Sequence, residues 1–318
     1  MSVHDQLSFS LCSKNTKEAI KSLNLNAELI IFVISDRDVI EFLIRVNDSV
    51  MLQSQMVHNS SPRGQKYCNA EFTTPKHVHV MSSRHNSAWI IKSIGVGSWL
   101  HHLCEVFHHA RVDSLSIEYK QINVGFIEPI RRVINGLPIL NLDLTESLGK
   151  EFQSKALEKF PHYEELYMKE IGLERDEVNK IVIQNLRKLY IPRSNQINLN
   201  QLLLSNCEEI KFDHLFLARK DLKKLLNLWI RGSNPKLKYF HVSWQLEIYN
   251  GVLDENIIFK DIKHTRIPLD SQEIHRRKMS DGYCEETELS GGFKIKRFDG
   301  TCAVIVIDCQ TFKFIVDG

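Results

Sequence analysis

What this sequence lacks narrows it before any pattern is read. Its seven cysteines are an odd number and include no Cys-x-x-Cys pair. That speaks against a disulfide framework and for free thiols in a reducing compartment. An excess of one charge is missing too. The 41 basic and 39 acidic residues leave a formal net charge of +2, so no broad basic field points to nucleic acid. The longest apolar run, Leu29 to Ile34, falls far short of the ~20 residues that span a bilayer, and no membrane partner is expected. Asp5 stands early with no apolar stretch around it, which argues against a secretory signal. There is no Gly-x-Ser-x-Gly elbow, His-Glu-x-x-His pair, Walker-type phosphate loop or dinucleotide fingerprint. Chain position pairs no two carboxylates as acid and base. No enzyme, cofactor or metal is expected.

What is there is ordinary globular material. With 318 residues, 43% apolar and 25% charged, the chain can bury a substantial core in one elongated domain or two compact ones. A soluble intracellular protein is expected, in cytoplasm or nucleus. The most organised stretch runs from Leu186 to Trp244. Leu189-Tyr190-Ile191 is a strand stopped by Pro192, Leu199 to Leu204 is a short helix, and Ile210-Lys211-Phe212 is a second strand. Leu222, Leu225, Leu226, Trp229 and Ile230 then recur at the spacing of one apolar helix face. Gly232 suits a left-handed C-cap and Pro235 forbids continuation. Leu237 to Val242 is a third strand. Short strands alternating with helices imply a largely parallel sheet of βα units.

Ahead of this stretch the period is two. Leu29 to Ile34, Ile40 to Val46 and Val50 to Met56 read as an antiparallel meander, with turns at Ser35 to Asp38 and Asn47-Asp48. Asn59 to Gln65 is a loop, and Val78 to Met81 a further strand. Gly95-Val96-Gly97-Ser98 has the glycines of a phosphate loop without the Lys-Ser/Thr that grips phosphate, and is read as an N-cap at Ser98. In the next helix Trp99, Leu103, Val106, Phe107 and Ala110 form an apolar face. His101, His102, His108 and His109 fan over the other side with Glu105, which predicts a solvated histidine face rather than a metal site. Leu115 to Tyr119 and Leu140 to Leu144 are strands, Glu128 to Ile134 and Phe152 to Phe160 are helices, and Tyr163 to Lys180 is ambiguous. The strand centres Ile117 and Leu142 lie 25 residues apart, within the leucine-rich-repeat range, though no strict L-x-x-L-x-L consensus appears. If Leu115, Ile117, Leu142, Leu189, Ile210 and Phe240 face inward, the opposite parity presents Glu118, Asp143, Tyr190, Lys211 and His241 as a partner-binding row. Residues 245 to 277 are weakly patterned and Met279 to Ser290 reads as a loop. Phe293 and Ile295 alternate with lysines before an Asp299-Gly300 turn, and Ala303 to Ile307 and Phe312 to Val316 complete a terminal meander.

Three of these stretches carry a resemblance. Asp221-Leu222, the run Trp229-Ile230-Arg231-Gly232-Ser233-Asn234-Pro235 and Leu237 resemble the signature of the nematode F-box-associated domain, type 2. The run Gly291-Gly292-Phe293 to Gly300 is similar to the close of the same family. One departure stands out, since Leu217-Ala218-Arg219-Lys220-Asp221 replaces the family's Thr-Asn-Glu-Asp opening. It removes the capping hydroxyl and sets two cations at the positive dipole end, so this helix start is expected to fray. At the front, Leu7-Ser8-Phe9-Ser10-Leu11-Cys12-Ser13-Lys14-Asn15-Thr16-Lys17 resembles the second half of an F-box, whose first helix would lie before Met1. A plain amphipathic helix over Leu7 to Ile20 is the alternative. A fragment of ~20 residues cannot bury its apolar face alone, so it either packs on the body or stays loose.

Together these patterns predict an α/β fold of leucine-rich-repeat-like βα units with antiparallel β meanders near both ends, and the resemblance, taken to cover nearly the whole chain, adds a short N-terminal helical F-box remnant. It divides the chain into a partial F-box (1–23) and an F-box-associated region (24–318). The latter splits into meander and loop (24–93), repeat-like units (94–244) and C-terminal loop and meander (245–318). It also implies a substrate-recognition subunit of an SCF cullin-RING ubiquitin ligase, with Leu7, Phe9, Leu11, Cys12, Thr16 and Ile20 meeting a Skp-type adaptor and, through it, a cullin. An unidentified protein would be the substrate. The alternative is an interaction module uncoupled from ubiquitin transfer by the shortened F-box. Cys207, Cys284 and Cys302 are conceivable ubiquitin-transfer thiols but read more simply as small buried residues.

Overall fold

The computed structural model describes residues 2–36, 39–46, 50–57, 77–81, 86–89, 94–144, 148–160, 162–169, 172–192, 197–213, 217–244, 254–278, 284–308 and 310–317. Of the expected turn at Ser35 to Asp38, Ser35 and Asp36 are still strand and the rest lies outside these residues, as do Asn47-Asp48 and the loop from Asn59 to Gln65. The chain forms two units, Met1–Tyr163 and Glu164–Met279 with Cys284–Gly318.

In the first unit, helices α1 (Val3–Ser10) and α2 (Lys14–Lys21) precede the predicted meander. Ser13 and Thr16 close a reciprocal capping box that starts α2. Strands β1 (Ala27–Asp36), β2 (Val39–Val46), β3 (Val50–Val57), β4 (His77–Met81) and β5 (Asn86–Trp89) pair antiparallel in sequence order. Alternation decides which face is buried: Ile40, Phe42, Ile44 and Val46 are buried while the residues between them are half-buried. Helix α3 (Val96–Val106) covers the buried face, and the Trp99 indole N–H donates to Ser54 Oγ at 2.8 Å. Strand β6 (Val112–Ile117) then pairs parallel with β1, and β7 (Ile139–Leu144), reached through α4 (Ile127–Ile134), pairs parallel with β6. Helix α5 (Lys150–Lys159) follows. Ser98 is not the N-cap of α3. The helix begins at Val96 with Gly95 capping it, and Gly97 lies where α3 crosses α4, since a Cβ there would sit 3.3 Å from Val133 Cα.

The second unit alternates strictly from its start. Strands β8 (Glu165–Met168), β9 (Lys188–Ile191), β10 (Glu209–Asp213) and β11 (Tyr239–Ser243) form a parallel ladder. They are linked by α6 (Arg175–Val182), α7 (Leu199–Leu204) and α8 (Arg219–Ile230). The ambiguous segment from Tyr163 to Lys180 thus holds β8 and most of α6. Helix α9 (Glu255–Ile258) leads to β12 (His264–Lys278), β13 (Cys284–Lys296), β14 (Cys302–Ile307) and β15 (Thr311–Val316). Strand β15 pairs antiparallel with both β11 and β14, so the terminal meander is stitched onto the ladder by its last strand. Of the expected loop from Met279 to Ser290, residues 284 to 290 are instead the start of β13, in a long hairpin with β12, and the rest lies outside the described residues. The hairpin escapes a period-two reading because β12 is charged along both parities. It is an edge strand with Pro268 at a register shift, a composition that discourages further pairing.

Burial exposes a regularity that residue identity hides. In each βα unit three positions are buried at spacings of three and two. They are Val112, Leu115 and Ile117; Ile139, Leu142 and Leu144; Tyr163, Leu166 and Met168; Leu186, Leu189 and Ile191; Cys207, Ile210 and Phe212; and Leu237, Phe240 and Val242. Tyrosine, cysteine and phenylalanine stand in several of these slots, so a search for leucine alone passes over the pattern.

Candidate functional site

Helix α3 presents His101, His102 and Glu105 away from its apolar face, His108 stands in the turn after it rather than in the helix, and the N-terminal helices meet that side. Ser10 Oγ lies 2.9 Å from His102 Nε2, the Lys17 ammonium pairs with Glu105, and His108 Nε2 donates to the Lys21 carbonyl at 2.8 Å. The His102 ring stacks on Trp99, centroids 5.8 Å apart. Burial and then the Lys17 charge push the pKa of His102 down to about 4. His109 turns to β1 and β6, its Nδ1 3.0 Å from the Ala27 carbonyl and its Nε2 2.6 Å from Asp113 Oδ2. Asp113 also accepts from the Ile30 amide and Arg111 Nε, both at 2.8 Å. Burial alone would raise the Asp113 pKa, but these donors together hold it below the ordinary carboxylate range. The histidine side of α3 is therefore a docking surface, not the solvated face the sequence suggests. Reading one helix could not find it, because Ser10 and His102 stand 92 residues apart.

Docking settles where the adaptor-binding candidates lie. Leu7 and Ile20 are buried, Phe9 and Cys12 are exposed, and Leu11 and Thr16 are half-buried. Thr16 is also occupied in capping α2. The N-terminal helices pack on the body rather than staying loose.

The partner-binding row divides between the units. Every expected inward residue, from Leu115 to Phe240, is buried. In the first unit, Asp143 pairs in register with Ser116 on the open face, whereas Glu118 lies beyond the end of β6, where Ser116 Oγ donates to it at 3.3 Å. In the second unit, Tyr167, Tyr190, Lys211, His241 and Lys313 stand in one cross-strand register, so three of the predicted residues are side by side and two were missed. Tyr167 lay in the ambiguous segment, and Lys313 belongs to a strand whose insertion beside β11 leaves no local signal. Tyr190 Oη donates to Asp213 Oδ2 at 2.7 Å, and Ser243 Oγ donates to Oδ1 at 3.2 Å. The Tyr167 and Tyr190 rings meet edge to face at 4.7 Å, and the Lys211 ammonium sits 4.6 Å from the Tyr190 centroid. His241 Nε2 is shielded from solvent. The row presents aromatic edges, an ammonium and ordered hydroxyls.

Behind this face the signature residues meet. Trp229, 1% exposed, packs edge to face on Phe314 at 5.0 Å, and the Arg297 guanidinium lies 5.3 Å from the indole. The Phe298 amide donates to the Ile230 carbonyl at 3.1 Å. Gly232, at φ +100°, ends α8 in a Schellman motif, and a Cβ on it would sit 2.6 Å from the Phe298 ring. Asn234 Nδ2 donates to the Leu202 and Ser205 carbonyls at 3.0 and 2.8 Å, closing the end of α7. The two signature stretches are one structural clasp. Residues 177–242 match the family model described as F-box associated, a span that holds Tyr190, Lys211, His241 and the Trp229 to Pro235 run. A curated protein of Caenorhabditis elegans, "F-box associated domain-containing protein sdz-33", is 25% identical over 215 residues, 67% of this chain and 61% of that one. In these stretches the chain is similar to F-box-associated proteins. The likeness covers about two-thirds of it rather than nearly all, and spans 61% of the length of that relative. No solved structure matches the chain.

The cysteines that the sequence singles out lie apart from the partner-binding row. Cys207 is buried and its thiol pKa is raised, chiefly by burial. Burial, with the Asp113 and Glu105 charges, pushes Cys104 up to about 11. Cys302 is half-buried, and the side chain of Cys284 lies outside the described residues. Among the described residues no cluster of three metal-ligating side chains occurs, and no helix is long and apolar enough to cross a membrane.

Proposed function

We propose that this chain is the substrate-recognition part of an SCF-type cullin-RING ubiquitin ligase, and that it binds its target through the open face of the second unit. The observation that carries this reading is the family match over residues 177–242, which contain the in-register Tyr190, Lys211 and His241. The βα series is read as leucine-rich-repeat-like on its three-then-two burial spacing, and α1–α2 as an F-box remnant. No catalysis is assigned to the chain, and the ubiquitin chemistry would belong to other subunits in cytoplasm or nucleus. A second reading has its own support. Leu7 and Ile20 are spent inside the protein, which leaves α1–α2 a reduced apolar surface for an adaptor and favours an interaction module detached from ubiquitin transfer. Calorimetry of the chain with a purified Skp-type adaptor separates the two. A submicromolar Kd establishes coupling to the ligase, whereas heats no larger than dilution favour the detached module.

A further inference from the structure

We infer that the partner segment is acidic and extended, with carboxylates seated over Lys211 and Lys313 on the open face of the second unit; this rests on the recognition reading above. The open faces of the two units differ in chemistry. In the first, Glu41 gathers Gln53 and Gln55 at 2.7 and 3.1 Å, and Asp143 lies on the same parity. In the second, the row Tyr167, Tyr190, Lys211, His241 and Lys313 carries its formal charge on two lysines. The carboxylates nearby are already engaged. Glu165 is held by Arg187 and Lys188, Glu209 by Lys188, and Asp213 by the hydroxyls of Tyr190 and Ser243. Asp308, the acid whose pKa Lys313 helps to lower, accepts from the Gln310 and Thr311 amides and the Thr311 hydroxyl.

Geometry sets the spacing of the ligand. Lys211 and Lys313 flank His241 on β10, β11 and β15, so two strand spacings of ~4.8 Å separate them, about 10 Å. Along an extended chain only residues at even spacing share a face, ~6.8 Å apart at i and i+2 and ~13 Å at i and i+4. Two acids two or four positions apart therefore bracket that distance, and the flexible lysine side chains make up the difference. Beyond Lys313 the row continues to Val306, which with Ile267 flanks the buried cluster of Tyr239, Val304 and Ile315. An apolar residue after the second acid fits there. A polyphosphate backbone fits less well, because it would also meet Glu165, Glu209 and Asp213.

The test is selection of random dodecapeptides displayed on phage against the whole chain. Enriched sequences should carry two acids at i and i+2 or i and i+4, followed by an apolar residue. A synthetic peptide of that consensus should lose at least about tenfold in affinity for Lys211→Glu/Lys313→Glu. Lys220→Glu/Lys224→Glu makes the same charge change on exposed positions of α8 and should leave affinity unchanged. Circular dichroism confirms that both variants fold. Selection without acidic enrichment, equal loss in both variants, or competition by a twelve-nucleotide oligouridylate overturns the proposal. Acidic peptides insensitive to Lys211 and Lys313 overturn this site while leaving the recognition role intact.

Discussion

At the residue scale, Trp229 shows how one side chain ties distant sequence together. It belongs to α8, yet its ring touches Phe314 of β15 and lies under Arg297. Its indole N–H finds no acceptor among the described residues, so its contribution is shape and area. Trp229→Ala should cost ~3–5 kcal/mol, and Trp229→Phe clearly less. Urea unfolding measures both, and equal losses would mean that the indole nitrogen carries the effect. The period of α8 makes Trp229 legible as a core residue, and Gly232 is legible as its cap. The role of Asn234 is not, because its two acceptors belong to α7, a contact that no spacing rule reports.

At the element scale, α8 begins without a capping hydroxyl, as the Leu217 to Asp221 run predicts. Asp221 makes up part of the loss by accepting from the Ala218 amide at 3.2 Å, half of a capping box. Ala218→Ser should supply the other half and raise stability by ~0.5–1 kcal/mol, read as a higher denaturant midpoint at unchanged slope. The docking of α1–α2 on α3 carries a pH dependence. His102 has a folded-state pKa of about 4 against 6.5 unfolded, so the native state favours the neutral ring. As pH falls below about 6.5 the unfolded chain binds a proton that the native state refuses. Stability therefore drops down to about pH 4 and levels off below it. Because His102 is only half-buried, solvent screening holds the loss to about 1–2 kcal/mol. His102→Asn keeps a group able to bond Ser10 but cannot titrate, and should flatten that part of a melting temperature against pH curve. An unchanged curve would place the titration elsewhere. Strands β1 to β3 were readable because one face is buried and alternation follows; β12 was not, because an edge strand has little buried face to reveal it.

At the scale of the whole molecule, the second unit depends on a strand from the far end of the chain. β15 lies between β11 and β14 and hydrogen-bonds to both. Phe312 and Phe314 on it are buried, against Phe240 and Trp229 respectively. This pairing joins the parallel ladder to the terminal meander, and it is nonlocal: β11 ends some 70 residues before β15 begins, the kind of contact that raises the entropic cost of folding. The sequence shows β15 as a strand but not which strand it joins, since period two specifies a face and not a neighbour. Removing residues 311–318 should therefore leave β11 and β14 each without a neighbour on one edge and expose the Trp229 side of α8. Hydrogen exchange followed by mass spectrometry reads the consequence. In the full chain, amides of β10, β11 and β15 should be the slowest of this unit, and those of β12 at its edge faster. In the truncated chain, β10 and β11 should exchange as fast as β12. Protection of β11 that survived the truncation would show that the parallel ladder stands without its C-terminal strand.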